Sequence, residues 1–228
     1  MTGLDPPYLF PAYRSTVLRA PRRDLLPPLH TPTELSGPVF GEDLVRPEDA
    51  DLTRQHDGDP IGERIVVSGR VTDGAGRPVR RGLVEIWQAN SAGRYAQETD
   101  RHPAPLDANF TGAGRCLTDV DGAYRFVTIR PGEYPWRNHA NAWRPAHVHF
   151  SLFGRGFGNR LVTQMYFPGD PLLDHDPMYL SVADRRAAAR LVAAFDLERT
   201  VEDWALGYRF DIVVGGPVAT PPERGEAL

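Results

Sequence analysis

Ile65-Val66-Val67-Ser68-Gly69-Arg70-Val71 sets Ile65, Val67, Gly69 and Val71 against Val66, Ser68 and Arg70, the two-residue period of an extended strand with unlike faces. Asp73-Gly74-Ala75-Gly76 then turns the chain into Leu83-Val84-Glu85-Ile86-Trp87, so this first pair is a hairpin candidate. Further on, Asp121-Gly122 separates Arg115-Cys116-Leu117-Thr118 from Tyr124-Arg125-Phe126-Val127 in the same way. Val148-His149-Phe150, the run from Leu161 to Tyr166 and the run from Tyr208 to Val214 supply further strands. Short strands with turn residues between them predict an all-β chain with a β-sandwich core. One short helix is expected from Ala183 to Phe195, where Ala187, Leu191, Ala194 and Phe195 share a side.

Upstream of this pattern, residues 1–60 are broken by prolines such as Pro6, Pro7, Pro11, Pro21, Pro27, Pro28 and Pro47. They read as an irregular arm. Its apolar residues, among them Tyr8, Leu9, Phe10, Tyr13, Leu25, Leu26, Val39 and Phe40, are too many for a free linker, so the arm is expected to lie on a surface, its own or a neighbouring subunit's. The division expected is an arm over 1–60, a sandwich domain over 61–216 and a C-terminal tail over 217–228. No internal repeat is visible.

A net charge of -4 gives no basic footprint, which points away from nucleic acid and from an anionic membrane and toward a small molecule or a protein as partner. All 26 basic residues are Arg and none is Lys, which excludes a Schiff-base lysine and a lysine-dependent phosphate loop. The single Cys116 cannot form an internal disulfide and excludes thiolate zinc sites and iron–sulfur clusters built by this chain alone. With no stretch of membrane-span length and no basic-then-apolar leader, the expected compartment is the cytoplasm.

Chemistry is concentrated in Arg144-Pro145-Ala146-His147-Val148-His149-Phe150. On a strand, residues two apart share a face, so the imidazoles of His147 and His149 can converge on one metal ion while Val148 turns to the opposite side. Two of seven histidines also fall at this spacing by chance, and a metal site needs further ligands. Carboxylates such as Asp119 or Asp174 could serve. So could two tyrosines in glycine-marked turns, Tyr95 after Gly93-Arg94 and Tyr134 after Pro131-Gly132-Glu133, although a Tyr in a turn is commonly a packing residue. Phenolate is a hard anionic oxygen matched to a hard, highly charged ion such as Fe(III).

Several stretches in one order carry a resemblance that covers nearly the whole chain. They are Pro60 to Ile65, Leu83 to Asn90, Gly93-Arg94-Tyr95, Ala104 to Asp107, Gly114 to Asp119, Tyr134-Pro135-Trp136-Arg137-Asn138, Trp143 to Phe150 and Tyr208 to Val213. In these the chain resembles the intradiol ring-cleaving dioxygenase family, and within it the iron-bearing chains that assemble with a homologous alpha subunit lacking the full ligand set. The resemblance implies a non-haem Fe(III) held by Tyr95, Tyr134, His147 and His149. It implies that Arg144 stabilises the substrate as electron density shifts to its ring, with a structural ion pair as the alternative role, and that Gln164 is a polar neighbour of the iron. It implies that Trp136 walls the pocket and that Tyr13, in the arm, helps to hold the substrate. The reaction implied is O2-dependent cleavage of a small aromatic diol, best 3,4-dihydroxybenzoate, with catechol or hydroxyquinol as alternatives and no organic cofactor. The segment Asp174-His175-Asp176-Pro177-Met178 departs from the family's form and leaves the pocket wall there open.

Overall fold

The structure, a computed structural model, describes residues 4–26, 42–136, 143–154 and 160–223. Val39, Phe40, Arg137, Asn138 and the 224–228 end of the expected tail lie outside them. In chain order the described strands are β1 (Arg64–Asp73), β2 (Leu83–Trp87), β3 (Ala113–Leu117), β4 (Ala123–Ile129), β5 (Tyr134–Pro135), β6 (Trp143–Arg144), β7 (His147–Phe153), β8 (Leu161–Tyr166), β9 (Ala194–Phe195), β10 (Leu206–Arg209) and β11 (Ile212–Val214). The helices are α1 (Ser15–Arg19), α2 (Pro177–Leu180) and α3 (Arg185–Ala189).

The strands form a sandwich. In the first sheet the long β1 lies between antiparallel β4 and two strands from the far end of the chain, β10 beside its first half and β11 beside its second, both parallel to it; β9 pairs with β10 at the edge. The second sheet is antiparallel, in the order β3-β2-β7-β8. Inward rows from both sheets, including Ile65, Val67 and Phe126 from one and Val84, Ile86, Val148, Phe150 and Leu152 from the other, make one apolar core. Phe126 and Phe150 meet edge to face at 6.5 Å between ring centroids, a favoured aromatic geometry. Leu52 enters the same core from the segment before β1, where its N–H bonds to Val127 O and Asp49 pairs with Arg115.

Both turn signals in the sequence are turns, but neither makes a hairpin. Asp73 Oδ1 accepts from the N–H groups of Ala75 and Arg77, and Asp119 Oδ1 from those of Asp121 and Ala123. Yet β1 and β2 belong to opposite sheets, as do β3 and β4. The reason lies in what flanks them. β1 is paired on both edges by β4 and by β10 and β11, and β2 by β3 and β7, while β3 and β4 are each paired to one of these two strands in opposite sheets, so each turn carries the chain across the ~10 Å between packed sheets. The apolar rows then meet face to face rather than edge to edge.

The expected helix over Ala183 to Phe195 is also corrected. Asp184 caps α3 by accepting from the N–H groups of Arg186 and Ala187, but the helix ends at Ala189. Beyond it the backbone is taken by the second sheet, with Tyr166 N–H bonding to Leu191 O and Ala193 N–H to Tyr166 O, and Ala194–Phe195 continues as β9. Sheet pairing outcompetes helix propensity once the flanking backbone groups are within reach. Nor is α3 the one short helix, since α1 and α2 are helical as well.

One glycine is fixed by this architecture. Where β1 passes from β10 to β11, Phe210 N–H bonds to Ser68 O, and a Cβ built on Gly69 would collide with the Phe210 carbonyl, which the Tyr124 hydroxyl also contacts. Gly69→Ala is therefore expected to destabilise the chain by about 1–3 kcal/mol, the range for overpacking a tight interior, read as a lower urea midpoint; an unchanged midpoint would show that the two strands can part there at no cost.

Candidate metal centre

Every second residue of β7 faces away from the core. Val148, Phe150 and Leu152 join the core, and His147, His149 and Ser151 lie on the outer face, all buried. His147 Nδ1 stands 2.7 Å from Pro145 O. A carbonyl only accepts, so Nδ1 carries the proton and the Nε2 lone pair faces the Tyr134 hydroxyl and Arg144 Nη1. His149 Nδ1 stands 3.0 Å from Glu223 Oε2, which leaves its Nε2 lone pair facing the Tyr95 hydroxyl. Trp87, opposite His149 in the β2–β7 register, stacks on the imidazole at 4.7 Å and 4° and limits its tilt.

The two tyrosines reach these nitrogens through turns tied to one another. Asn90 Oδ1 accepts from the N–H groups of Ala92 and Arg94, closing the turn that leads to Tyr95, and Asn90 O accepts from both Gly93 N–H and Gly132 N–H. Gly93 has φ +74°, and a Cβ there would strike Glu133 O; only glycine lets the two turns approach this closely. Tyr134 then pairs with Arg144 across β5 and β6. As a result the Tyr95 hydroxyl lies 3.1 Å from His149 Nε2, the Tyr134 hydroxyl 3.4 Å from His147 Nε2, and the two phenol rings meet edge to face at 5.5 Å.

Arg144 closes this cluster from one side. It is 1% exposed and forms a two-point pair with Asp176, itself 0% exposed, through Nε to Oδ1 at 3.2 Å and Nη2 to Oδ2 at 2.9 Å. Nη2 also donates to Gln164 Oε1 at 2.6 Å, while Nη1 points at the site, 3.1 Å from His147 Nε2 and 3.5 Å from the Tyr134 hydroxyl. Burial opposes the guanidinium charge, but Asp176, with the Tyr134 and Tyr166 oxygens, outweighs it and keeps Arg144 charged. Burial, then the Arg144 charge and then His149, hold the His147 imidazole well below its ordinary pKa and therefore neutral, the state in which it can ligate. Burial, with Tyr134 adding to it, pushes the Tyr95 phenol well above its ordinary value. Trp136 lies under Arg144 at 5.1 Å, and the buried Tyr13 packs on Trp136 at 4.9 Å.

The sequence and structure of this chain match known proteins closely. A family model described as Dioxygenase matches residues 35–216, and one described as Protocatechuate 3,4-dioxygenase beta subunit N terminal matches residues 6–31. The chain is 57% identical over 221 residues to the protocatechuate 3,4-dioxygenase beta chain of Burkholderia cepacia, covering 96% of this chain and 94% of that one. The chain belongs to the intradiol dioxygenase family. It is also 29% identical to the protocatechuate 3,4-dioxygenase alpha chain of Pseudomonas putida, over 85% of this chain and 94% of that one. Among solved structures, 3-chlorocatechol 1,2-dioxygenase of Rhodococcus opacus superposes with a TM-score of 0.53 at 25% identity, covering 78% of this chain and 70% of that one.

Intradiol dioxygenases use non-haem iron, and the donors present suit that ion. Among the described residues no three His, Cys, Asp or Glu gather as a metal site, and the Tyr95 and Tyr134 phenol oxygens lie beside the two imidazoles. A buried phenol that resists ionisation gives up its proton only to a strong local positive charge, which a hard trivalent ion supplies. Among the described residues no helix is long and apolar enough to cross a membrane.

Four residues that support this intradiol dioxygenase site escaped the sequence reading. Asp176 lies in the stretch that departs from the family's form and anchors Arg144; Tyr166 places its hydroxyl 2.7 Å from both Asp176 Oδ2 and Gln164 Oε1. Trp87 had read only as part of a strand. Glu223 had been set aside in the tail, and its one local signal is the stiff Pro221-Pro222 before it. Removing one member of a buried pair leaves the other charge uncompensated, so Asp176→Asn is expected to lower the stability of the metal-free chain by about 3–5 kcal/mol, measured by urea unfolding. A wild-type midpoint in that variant would mean that Gln164 and Tyr166 suffice to hold Arg144.

Proposed function

We propose that this chain is the iron-bearing subunit of a protocatechuate 3,4-dioxygenase. With a homologous alpha subunit it cleaves protocatechuate, 3,4-dihydroxybenzoate, between its two hydroxyl-bearing carbons, and both atoms of O2 enter the product, 3-carboxy-cis,cis-muconate. The observation that carries this reading is the convergence of two imidazole and two phenol donors in one buried place on a chain 57% identical to a beta chain of that enzyme.

Tyr95, Tyr134, His147 and His149 would hold Fe(III). Bound there, the ion supplies Lewis-acid activation of the diol toward O2. The remaining work falls to the protein. The Tyr134 oxygen, beside Arg144 Nη1, is placed to take a proton from a substrate hydroxyl as the diol enters. Arg144, fixed by Asp176 and Gln164, offers a preorganised positive charge to the electron density that builds on the ring. Trp136 and Tyr13 wall the side reached by the arm, where the substrate's carboxylate end would lie. The alpha subunit would complete that side, and apolar arm residues Leu9, Val17, Leu18, Leu25 and Leu26, exposed in the single chain, offer it a surface. The lone Cys116 supports a cytoplasmic setting.

The chain is tested by co-expression with an alpha chain, iron analysis, visible spectroscopy and O2 uptake. His147→Ala and His149→Ala are expected to lose most of the iron and the phenolate-to-iron colour, whereas His102→Ala, whose ring faces Trp143, keeps both. A colourless, zinc-loaded wild type with full activity would sink the iron assignment, and faster turnover of catechol than of protocatechuate would sink the substrate. Arg144→Lys keeps a cation opposite Asp176 but loses the planar fork, so kcat should fall ~100-fold, the scale of one lost electrostatic donor, with iron content unchanged.

A further inference from the structure

We infer that Glu223 is a positioning residue for the metal centre: its side-chain oxygen holds His149 in the Nδ1–H tautomer, with Nε2 turned toward Tyr95. The inference rests on the iron reading above for its metal consequence and on geometry alone for the orientation.

Glu223 is far from β7 in sequence and is brought to it by a clamp. Glu223 N–H bonds to Val162 O at 2.6 Å, Thr163 Oγ1 donates to Pro221 O at 2.7 Å, and Thr220 N–H bonds to Val213 O at 2.9 Å. The first two bonds run residues 221–223 along β8, the third ties Thr220 back to β11, and the carboxylate comes to rest over the outer face of the second sheet. Its side chain is 5% exposed, and Oε2 meets His149 Nδ1 at 3.0 Å. Gln164 Nε2 lies 3.4 Å from the same nitrogen.

An immobile acceptor at Nδ1 leaves Nε2, the nitrogen that faces Tyr95, as the lone-pair donor, and it makes that nitrogen more basic. His147 has a backbone carbonyl, Pro145 O, in the equivalent place, so of the two imidazoles only His149 takes its Nδ1 acceptor from a side chain.

The test uses the full chain with its alpha partner, as wild type, Glu223→Leu, which removes the acceptor, Glu223→Gln, whose amide oxygen can still accept, and Thr163→Val, which releases the Pro221 clamp without touching Glu223. Nitrogen NMR of the metal-free protein reads the His149 tautomer, and competition of the iron-loaded protein against a chelator reads iron affinity. Glu223→Leu is expected to lose the fixed tautomer and to hold iron ~10–100-fold more weakly, the range for losing an outer partner of a ligand, with Thr163→Val shifted the same way by less and Glu223→Gln keeping the tautomer. An unchanged tautomer and unchanged iron affinity in Glu223→Leu would overturn the inference. A wild type that takes up no iron, with the tautomer still released in Glu223→Leu, would overturn the iron reading and uphold the orienting role.

Discussion

The two-residue period of β7 is the constraint from which the rest of the molecule is built. Val148, Phe150 and Leu152 lock the strand into the sandwich core, and the same alternation drives His147 and His149 to the other face. Neither histidine can shift without dragging a core residue with it, and a one-residue slip would exchange the two sets altogether. The register of β7 with β2 sets Trp87 against His149, and its register with β8 sets Gln164 beside the same histidine. Rigidity at the site is therefore borrowed from hydrophobic packing on the reverse side of the sheet.

Around that strand, polar groups form a connected chain rather than a set of separate contacts. Asp176 holds Arg144, Arg144 donates to Gln164, Gln164 lies beside His149, and His149 donates to Glu223. Charges alternate along it, so each buried ion has a neighbour of opposite sign or a dipole turned toward it. Networks of this kind are costly when incomplete and stiff when complete. The stiffness serves the site, since an arginine that must meet charge appearing on a substrate ring is useful only if it is already in place.

Much of this was legible in the sequence, and the limits have physical causes. Strand period and paired histidines are local patterns, so β7 and the outward face of His147 and His149 could be read directly. Turn residues are local too, and Asp73 and Asp119 do organise turns. What a turn does not encode is which strands will pair: β1 and β2 are each paired on both sides elsewhere, β3 pairs with β2 and β4 with β1, and the two expected hairpins became crossings between sheets. The helix beyond Ala189 failed for a similar reason: the Tyr166 backbone, distant in sequence, claims residues 191 and 193. Asp176 left no local trace, and Glu223 only the two prolines before it. A single carboxylate in a polar, proline-containing stretch looks like any other until folding brings a guanidinium or an imidazole against it.

The long-range pairing of β1 also orders events in time. Its neighbours on one edge are β10 and β11, with Val67 beside Tyr208 and Thr72 beside Val213, and the carboxylate behind His149 belongs to residue 223. A ribosome delivers the chain from its N-terminus, so β1 emerges long before the strands that complete its sheet, and such distant contacts make for slow folding. During that interval β1 has an open edge, and His147 and His149 can be present without Glu223. Only a polypeptide made as far as residue 223 can close the first sheet and seat the carboxylate behind the histidine, so the backing of the metal centre follows the emergence of His149 by more than seventy residues of synthesis.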